Sequence, residues 1–306
     1  MTASSRTPQH SRPVLSVLIP FYRDDPAALV LALDGQAVAA SSPVEIVLCD
    51  DGSADAGLTR KVEATLSGLS VRAWLISKAA NEGRAAARNS LAAAATGEWL
   101  LFLDADMTVP DGFLQRWLIA IDDGAFDAAF GGFSADAPAS AAERVHAAIA
   151  EASNTGGAAS RQQRGASAFC TSNLLVRSDL MPSLPFDDSF KGWGWEDVDW
   201  AVRAARVGRL HHIDNPAGHH GWQSVEQLLD RYREAAANYA RLLSKHPELA
   251  GLPGARVARS LGALPGQSAL RGLWRSLARS EGTPMRIRTL ALKLWRASWA
   301  AEAMPR

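Results

Sequence analysis

The sequence has few cysteines, no long apolar run and no net charge. Cys49 and Cys170 are the only two cysteines in 306 residues, and both lie inside apolar stretches, which predicts buried, reduced thiols. No apolar stretch reaches the ~20 residues that a membrane-spanning helix needs. Residues 1–12 are polar and lack the apolar segment of a signal peptide. We therefore expect a cytoplasmic protein, with any membrane contact peripheral and at the inner face of the cell membrane.

The zero formal charge hides an uneven distribution along the chain. Ten Lys or Arg and two Asp or Glu fall between Leu252 and Arg306, so this segment carries about +8 and the rest of the chain about −8. Because the basic charge is confined to this segment and no nucleic-acid-reading motif accompanies it, we expect no nucleic-acid partner.

Short apolar runs alternate with helical patterns in the first half of the chain. The predicted strands are Val14–Pro20, Val44–Cys49, Val71–Ile76 and Glu98–Leu103, and the predicted helices start near Pro26, span Leu58–Leu66 and span Gly83–Ala94. Continuous apolar strands separated by helices are typical of a mostly parallel sheet that helices cover on both faces. In such an α/β fold, ligands bind beyond the carboxyl ends of the strands.

The second half of the sequence is less regular. Residues 153–167 are rich in small and polar residues and indicate a mobile loop. The other predicted elements are a strand at Phe169–Val176, a helix from Glu196 to about Arg206, and an amphipathic helix from Val225 to Leu243 that ends before Pro247. We divide the chain into a disordered arm (1–13), a domain (14–246) with a nucleotide half (14–107) and an acceptor half (108–246), and a basic helical extension (247–306).

Two carboxylates follow the fourth predicted strand. Alternation along an extended segment directs Asp104 and Asp106 to the same side and leaves Ala105 facing the core. Paired carboxylates at a strand end suit a hydrated Mg²⁺ or Mn²⁺ ion that also binds a diphosphate. The alternative is an ordinary acidic turn. An acidic turn at the parallel position two strands earlier, residues 50–53, favours the metal site.

Residues near the first three strand ends are suited to a nucleotide. Asp51 can accept the imide N–H of a base such as uracil, and Tyr22 offers a ring on which the base can stack. Arg84 and Arg88 lie at the start of a predicted helix, where the helix dipole and guanidinium groups favour a diphosphate. The structural alternatives are a simple β-turn at Asp51 and solvated arginines on an Ala-rich helix.

An aromatic and acidic segment at residues 192–200 follows about ninety residues later. Trp193 and Trp195 offer flat apolar surfaces for an acceptor sugar, and the carboxylates of Glu196 and Asp197 can accept its hydroxyl protons. Asp197 is the candidate base that removes the acceptor proton, and Glu196 is the candidate for orienting the acceptor. The alternative is that acidic residues occupy this first helical turn because they suit the helix dipole.

A histidine pair, His219 and His220, follows a short predicted strand at Leu210–Ile213. One imidazole of the pair is a candidate second metal ligand. Alternation allows only one of them to point inward, and we favour His219 over His220.

Together these residues resemble a family-2-type glycosyltransferase of the GT-A fold. The similarity spans roughly residues 15–222 and includes the runs at 16–22, 49–53, 81–89 and, most specifically, 95–107. Residues 192–199 are similar to the acceptor and base motif of β-galactosyltransferases and chondroitin-polymerase-type enzymes. The sequence departs from the family at Arg23, where an asparagine is common.

The resemblance implies a role for each matching residue. It places Pro20, Tyr22 and Asp51 with the nucleotide base, Asp104 with the ribose, Asp106 with the metal, and Asp197 as the base of an inverting reaction. It also implies a nucleoside diphosphate sugar, most simply a UDP-linked hexose or N-acetylhexosamine, as donor in polysaccharide biosynthesis.

We therefore expect an inverting, metal-dependent hexosyltransferase that acts on a glycan, lipid-linked or small-molecule hydroxyl. The alternative is a catalytically silent sugar-nucleotide-binding scaffold of a glycan-assembly complex. In the basic extension, Leu270–Leu277 and Ile287–Trp299 have helical spacing with Trp among Arg and Lys. This pattern is typical of a helix on an anionic membrane, and the alternative is a helical pair that packs on the domain or on a dimer partner.

Overall fold

A computed structural model describes residues 12–135, 140, 143–151, 156–219 and 222–304. Ten strands and eleven α-helices are described. The strands are β1 Leu15–Phe21, β2 Val44–Asp50, β3 Ala73–Ser77, β4 Trp99–Leu103, β5 Met107–Thr108, β6 Ala128–Phe130, β7 Phe133–Ala135, β8 Asn173–Arg177, β9 Leu210–His212 and β10 Ala217–His219. The helices are α1 Ala27–Val38, α2 Ala56–Ser67, α3 Arg84–Ala94, α4 Phe113–Asp123, α5 Arg144–Glu151, α6 Ala158–Arg164, α7 Glu196–Ala204, α8 Val225–Lys245, α9 Pro253–Gly262, α10 Arg271–Arg279 and α11 Met285–Ala303. Residues 1–11 of the predicted arm, and His220, lie outside the described residues.

Seven strands form the main sheet, in the order β3-β2-β1-β4-β8-β6-β9. The four strands β3, β2, β1 and β4 are parallel. Strand β8 runs antiparallel to both β4 and β6, and β9 is parallel to β6. The predicted fold class, a mostly parallel central sheet flanked by helices, is confirmed, and the carboxyl ends of β1, β2 and β4 meet at one edge.

The apolar strands are buried on both faces, which explains their continuous runs. In β1, Leu15, Val17 and Ile19 pack with Leu33 of α1 and Trp117 of α4 in one core cluster. The alternate residue Leu18 faces the other side of the sheet. There it joins a second cluster that also contains Phe102, Leu91 and Trp200. Helices therefore cover both faces, as parallel strands require.

The prediction of a mobile loop at residues 153–167 is wrong for its second part. Residues 158–164 form α6, and residues 165–168 form a 3₁₀ turn. The buried Arg161 guanidinium donates to the carbonyl oxygens of Gly156 and Ile213, the latter at 2.7 Å. Gln162 accepts a bond from the backbone N–H of His212 at 2.9 Å. These long-range bonds order a segment whose composition alone indicates a loop; residues 152–155 lie outside the described part.

A small second sheet, in the order β5-β10-β7, brings late and early parts of the chain together. Strand β10 pairs antiparallel with β5, and His219 lies opposite Met107. This register places His219 next to the acidic segment that ends β4. The pairing is non-local, because it joins residues more than a hundred positions apart.

The basic extension packs on the long helix α8. Helix α11 contacts α8, α9 and α10, and the indole N–H of Trp295 donates to the carbonyl oxygen of Leu229 at 2.8 Å. The division of the chain at residue 247 stays a prediction. Among the described residues, no helix combines the length and the apolarity needed to cross a membrane.

Glu45 in β2 is the centre of a buried polar network. Its carboxylate accepts bonds from Ser16 Oγ at 2.6 Å, from the Thr96 N–H at 2.7 Å and from Thr96 Oγ1 at 2.8 Å, and it is 1% exposed. Glu45→Ala leaves these donors without an acceptor, so we expect the free energy of unfolding to fall by about 3 kcal/mol. Denaturant unfolding measures this loss; the exposed Glu63→Ala is the matched control, with an expected change within about 0.5 kcal/mol.

Candidate active site

A cleft with a volume of about 460 Å³ lies at the edge where the parallel strands end. It contains most of the residues that the sequence analysis selects. The described residues that line it are Pro20, Phe21, Tyr22, Asp24, Asp51, Asn81, Gly83, Arg84, Ala87, Arg88, Asp104, Ala105, Asp106, Gly192, Trp193 and Glu234. Of the predicted site residues, Trp195, Glu196, Asp197 and His219 are not among the residues lining this cleft, although Glu196 and His219 interact with residues that are.

Asp51 lies in a tight turn after β2. Its carboxylate accepts the backbone N–H groups of Glu82 at 3.1 Å and Gly83 at 2.8 Å, and Lys78 Nζ lies 3.8 Å away. Burial raises the pKa of Asp51, although the two backbone bonds oppose this shift. The carboxylate therefore holds the entrance of α3 in place while bordering the cleft.

The glycine at position 52 is required by this turn. Its φ is +77°, and a Cβ there would lie 2.3 Å from the carbonyl carbon of Ala80. The neighbouring Asp50 accepts the Ser53 N–H at 2.9 Å, and Ser53 Oγ accepts the Arg23 N–H at 2.7 Å. Asp50 and Ser53 thus connect the ends of β1 and β2.

Arg88 is buried and joins two carboxylates. It donates to Asp104 Oδ1 at 3.0 Å and to Glu196 Oε1 at 3.1 Å. Burial works against the charged guanidinium, but the two carboxylates outweigh it and raise the pKa of Arg88. Arg84, one turn earlier in α3, is exposed in the cleft. The two predicted diphosphate ligands therefore differ in their surroundings. The Arg84 side chain is exposed in the open cleft, whereas the Arg88 guanidinium donates its hydrogen bonds to carboxylates of the protein.

Asp104 and Asp106 both line the cleft. The predicted strand alternation is wrong, because β4 ends at Leu103 and residues 105–106 form a turn; Ala105 packs against the first core cluster but also lines the cleft. Burial opposes ionisation of Asp104, but Arg88 and Arg84 keep its pKa below the usual value. Asp106 is half-exposed, and its Oδ2 lies 3.6 Å from His219 Nε2. Asp106 and His219 thus point toward a common position.

The donor set fits a divalent cation that shares its shell with substrate. Among the residues that the structure describes, no three His, Cys, Asp or Glu side chains form a closed metal cage. Mg²⁺ and Mn²⁺ do not need one, because such ions are typically held by one or two protein ligands together with phosphate oxygens and water. The pair of Asp106 and His219 therefore suits an ion that arrives with a diphosphate.

The turn at residues 192–195, called here the Trp-rich turn, has a left-handed backbone at three of its four residues. Gly192, Gly194 and Trp195 have φ of 74°, 82° and 81°, and the left-handed region is costly for a bulky residue such as Trp. Buried Asn238 of α8 compensates: its amide donates to the carbonyl oxygens of Lys191 at 2.8 Å and Gly194 at 3.1 Å. Helix α8 thus fixes the shape of this turn.

The two predicted acceptor tryptophans lie in different places. Trp193 borders the cleft. The ring of Trp195 stacks on Tyr239 with centroids 4.4 Å apart, and the Arg296 guanidinium lies 4.5 Å from its centroid. Trp195 therefore has a clear packing role, between the turn and the helices α8 and α11.

Asp197, the predicted base, is partly buried in the first turn of α7. Burial and the charge of Glu196 raise the pKa of Asp197 to about 6. Its Oδ1 accepts the Val198 N–H at 2.8 Å. Cys170 also donates a bond to Asp197, and burial raises the pKa of that cysteine, so that its thiol stays protonated. Glu196 is instead paired with Arg88.

Several residues of the site do not stand out in the sequence. Asp24 lines the cleft, where burial and Asp106 raise its pKa. Arg231 and Glu234 come from α8, and Glu234 lines the cleft as well. The sequence gives only a weak signal for Arg231 and Glu234. They are polar residues beside the apolar stripe of an amphipathic helix, and such residues usually face solvent.

Comparisons with known proteins agree with this fold. The sequence model described as Glycosyl transferase family 2 matches residues 16–180, more than half of the 306 residues. No curated protein matches the chain by sequence.

Solved structures of two proteins are among those with a similar fold. The mannosyltransferase PcManGT from Pyrobaculum calidifontis, in complex with GDP-Man and Mn²⁺, aligns with a TM-score of 0.60 at 19% identity, covering 96% of this chain and 88% of that chain. TarS 1-349 from S. aureus aligns with a TM-score of 0.53 at 14% identity, covering 94% and 89%. A TarS structure in complex with UDP-GlcNAc gives 0.52 at 15% identity, covering 94% and 90%. At these identities the similarity shows the fold alone.

The Arg88 contacts lead to a stability prediction. Arg88→Met leaves the carboxylates of Asp104 and Glu196 without their shared cation, so we expect the free energy of unfolding to fall by about 3–5 kcal/mol at neutral pH. Denaturant unfolding measures the change. In the double variant R88M/E196Q one of the two unpaired carboxylates is neutralised as well, so part of the loss should be recovered. If R88M is as stable as the wild-type protein, the buried ion pairs do not stabilise the fold.

Proposed function

Because the chain belongs to glycosyl transferase family 2 and has the GT-A fold, we propose that it is an inverting, metal-dependent glycosyltransferase. The donor is a nucleoside diphosphate sugar, most simply a UDP-linked hexose or N-acetylhexosamine, and the acceptor is a hydroxyl of a glycan, a lipid-linked glycan or a small molecule. The observation that carries the proposal is the convergence of Asp51, Arg84, Asp104 and Asp106 on one cleft, with His219 beside Asp106.

In this proposal the nucleotide occupies the cleft at the strand ends. Tyr22 and Pro20 border the base, and Asp51 accepts a bond from it while keeping its two backbone bonds. Asp104 accepts a ribose hydroxyl, since Arg88 keeps its carboxylate ionised and oriented. Arg84 is exposed in the cleft and is available for the diphosphate.

Asp106 and His219 hold the Mn²⁺ or Mg²⁺ ion in this proposal. A bound divalent cation supplies positive charge where the leaving diphosphate develops negative charge. A cation held there would also offset the negative charge of Asp104, Asp106 and the nearby Asp24, whose pKa is raised by burial and by Asp106. The PcManGT structure contains Mn²⁺, and the same requirement is proposed for this chain.

Asp197 acts as the base. As the acceptor oxygen forms its bond to the anomeric carbon, its proton passes to the Asp197 carboxylate while the diphosphate leaves from the opposite face. This in-line displacement inverts the anomeric centre. Glu196 and Trp193 position the acceptor, and Trp195 is retained as a predicted acceptor contact in addition to its packing against Tyr239.

A silent sugar-nucleotide-binding scaffold is the competing function. The pairing of Arg88 with both Asp104 and Glu196, together with the raised pKa of Asp197, favours the enzyme. A binding module needs neither a base nor a carboxylate whose environment favours proton uptake near neutral pH.

Donor turnover tests the proposed function. We expect the wild-type protein to release one nucleoside diphosphate from a panel of UDP-, GDP- and dTDP-sugars, with Mn²⁺ or Mg²⁺ and not with a chelator. In Asp197→Asn the base is lost, so kcat should fall by about 10²- to 10⁴-fold. The exposed Asp122→Asn is the matched control. Metal-dependent donor binding without turnover, even with crude glycan or lipid acceptors, would support the scaffold instead.

The pH profile gives a second test of the base. Because the pKa of Asp197 is raised to about 6, its carboxylate is mostly protonated below pH 6 and cannot accept the acceptor proton. We expect kcat/KM to rise with pH through about 6 and then to level off. A profile in which kcat/KM is independent of pH between 5 and 7 would contradict this assignment.

Contact with an anionic membrane, where a lipid-linked acceptor resides, is part of the proposal. Leu270, Leu273, Ile287 and Leu290 are exposed apolar side chains on the basic extension. Arg275, Arg279, Arg286 and Lys293 are exposed on the same helices. Such a surface suits anionic headgroups, although the Trp side chains that the sequence analysis assigns to a membrane border pack instead on other helices. A dimer through these helices is the alternative partner, and the cytoplasmic location stays a prediction.

Vesicle sedimentation distinguishes these partners. We expect the protein to bind vesicles with anionic lipid and not neutral vesicles, and to dissociate in high salt because screening weakens surface electrostatics. The double variant L273S/L290S should bind anionic vesicles less tightly. Equal binding to both kinds of vesicle would rule out the selectivity for anionic lipid. Binding to neither would rule out the membrane contact, and light scattering would then test the dimer.

A further inference from the structure

A second cavity, with a volume of about 390 Å³, adjoins the nucleotide cleft. Asp24, Arg84, Asp104, Asp106 and Trp193 line both, so the two cavities share the end at which the diphosphate and the metal are proposed to lie. The volume is within the range of about 300–1,000 Å³ in which proteins bind small ligands. A group linked to the diphosphate, or a group approaching it, therefore has room here.

The part of this cavity beyond the shared end has an uncharged wall. Arg231 also lines the cavity, but it interacts electrostatically with Arg84 and Asp106 and so belongs to the shared end. Among the other described lining residues there is no Asp, Glu, Lys or Arg. The polar groups of this wall include a hydroxyl, a thiol and two carboxamides. Phe133 and Trp222 are aromatic residues of the wall, and Trp193 borders it at the shared end.

His146 and Cys170 in this wall are both neutral. Burial, together with His219 and Arg231, lowers the pKa of His146 to about 4. Its Nδ1 accepts the backbone N–H of Gln223 at 3.0 Å, so the ring proton is on Nε2. Burial raises the pKa of the Cys170 thiol. Neither group therefore supplies a charge to bind a carboxylate or a phosphate at this wall.

Gln223 has an unused hydrogen-bond acceptor in this wall. Its side-chain oxygen Oε1 is buried and has no hydrogen-bond partner among the residues that the structure describes. A buried polar atom without a partner costs free energy, and a ligand hydroxyl that donates to it recovers that cost. Tryptophan rings next to such acceptors suit the C–H faces and hydroxyl groups of a sugar.

We propose that the second cavity binds an uncharged pyranose ring and that Gln223 Oε1 accepts a bond from one of its hydroxyl groups. This inference rests on the proposed function and narrows it: the cavity selects a neutral ring, such as a hexose or N-acetylhexosamine, against a uronic acid or a phosphorylated sugar. The ring belongs either to the donor or to the terminal unit of the acceptor, and both have the same chemistry.

Kinetics of the full-length chain with Gln223→Leu test the proposal. The probes are the free nucleoside diphosphate, its neutral sugar derivatives and its glucuronate derivative, with water or methyl glycosides as acceptors. If the ring is that of the donor, KM for the nucleotide sugar rises about three- to tenfold, while Kd for the free diphosphate stays constant. If the ring is that of the acceptor, only KM for the methyl glycoside rises. The wild-type protein should prefer a neutral ring to a glucuronate ring in the substrate whose KM responds, which is the nucleotide sugar in the first case and the methyl glycoside in the second.

Two further variants make the result decisive. Gln115→Leu changes an exposed glutamine and should leave every constant unchanged. Ser172→Ala removes a second polar group of the wall and should raise the same KM as Gln223→Leu, which guards against misfolding of one variant. Wild-type turnover with no effect of either wall variant, or with a preference for the glucuronate, overturns the proposal. Absence of any turnover by the wild-type protein instead rejects the proposed function itself.

Discussion

The site depends on one buried cation, the guanidinium of Arg88. It is the link between Asp104, at the end of a strand in the nucleotide half, and Glu196, at the start of a helix in the acceptor half. A buried guanidinium is tolerated only when carboxylates compensate it, and each buried carboxylate is tolerated only because the cation is present. The three groups therefore fix one another's positions, and a single side chain sets the distance between the proposed ribose ligand Asp104 and the proposed acceptor ligand Glu196.

The acceptor side of the site is supported by helices outside the segment that matches the family. That segment ends at residue 180, before the Trp-rich turn begins. The side-chain amide of Asn238 in α8 donates hydrogen bonds to backbone carbonyl groups of the turn. Tyr239 and Arg296 pack on Trp195. The basic extension thus supports the candidate active site indirectly, because α11 packs on α8, the helix that shapes the turn.

Sequence patterns predict the nucleotide half better than the acceptor half, for physical reasons. Strands β1, β2 and β4 are buried on both faces, so continuous apolar runs identify them, and the carboxyl ends of parallel strands bring Asp51 and Asp104 to one edge. Ordering in the acceptor half comes instead from bonds between distant residues. Arg161 donates a hydrogen bond to the carbonyl oxygen of Ile213, and no local sequence pattern predicts such a contact. For the same reason the sequence does not separate the roles of Arg84 and Arg88, which lie one turn apart on the same helix.

The first turn of α7 illustrates how three neighbouring acidic residues obtain different properties from their surroundings. Glu196 is paired with Arg88, and Asp199 is held by Lys245 and His246 at 2.7 and 2.9 Å. In the described part of the chain, the hydrogen bonds of Asp197 come from the Val198 N–H and the Cys170 thiol, neither of which carries a charge. Burial therefore raises the pKa of Asp197, whereas the charged partners of Asp199 keep the pKa of that carboxylate low despite its burial. A base must take up a proton during the reaction, and the burial that raises the pKa of Asp197 favours uptake at this carboxylate. The acidic residues of this turn thus do more than complement a helix dipole, because two of them have charged partners that anchor the helix and the third is the proposed base.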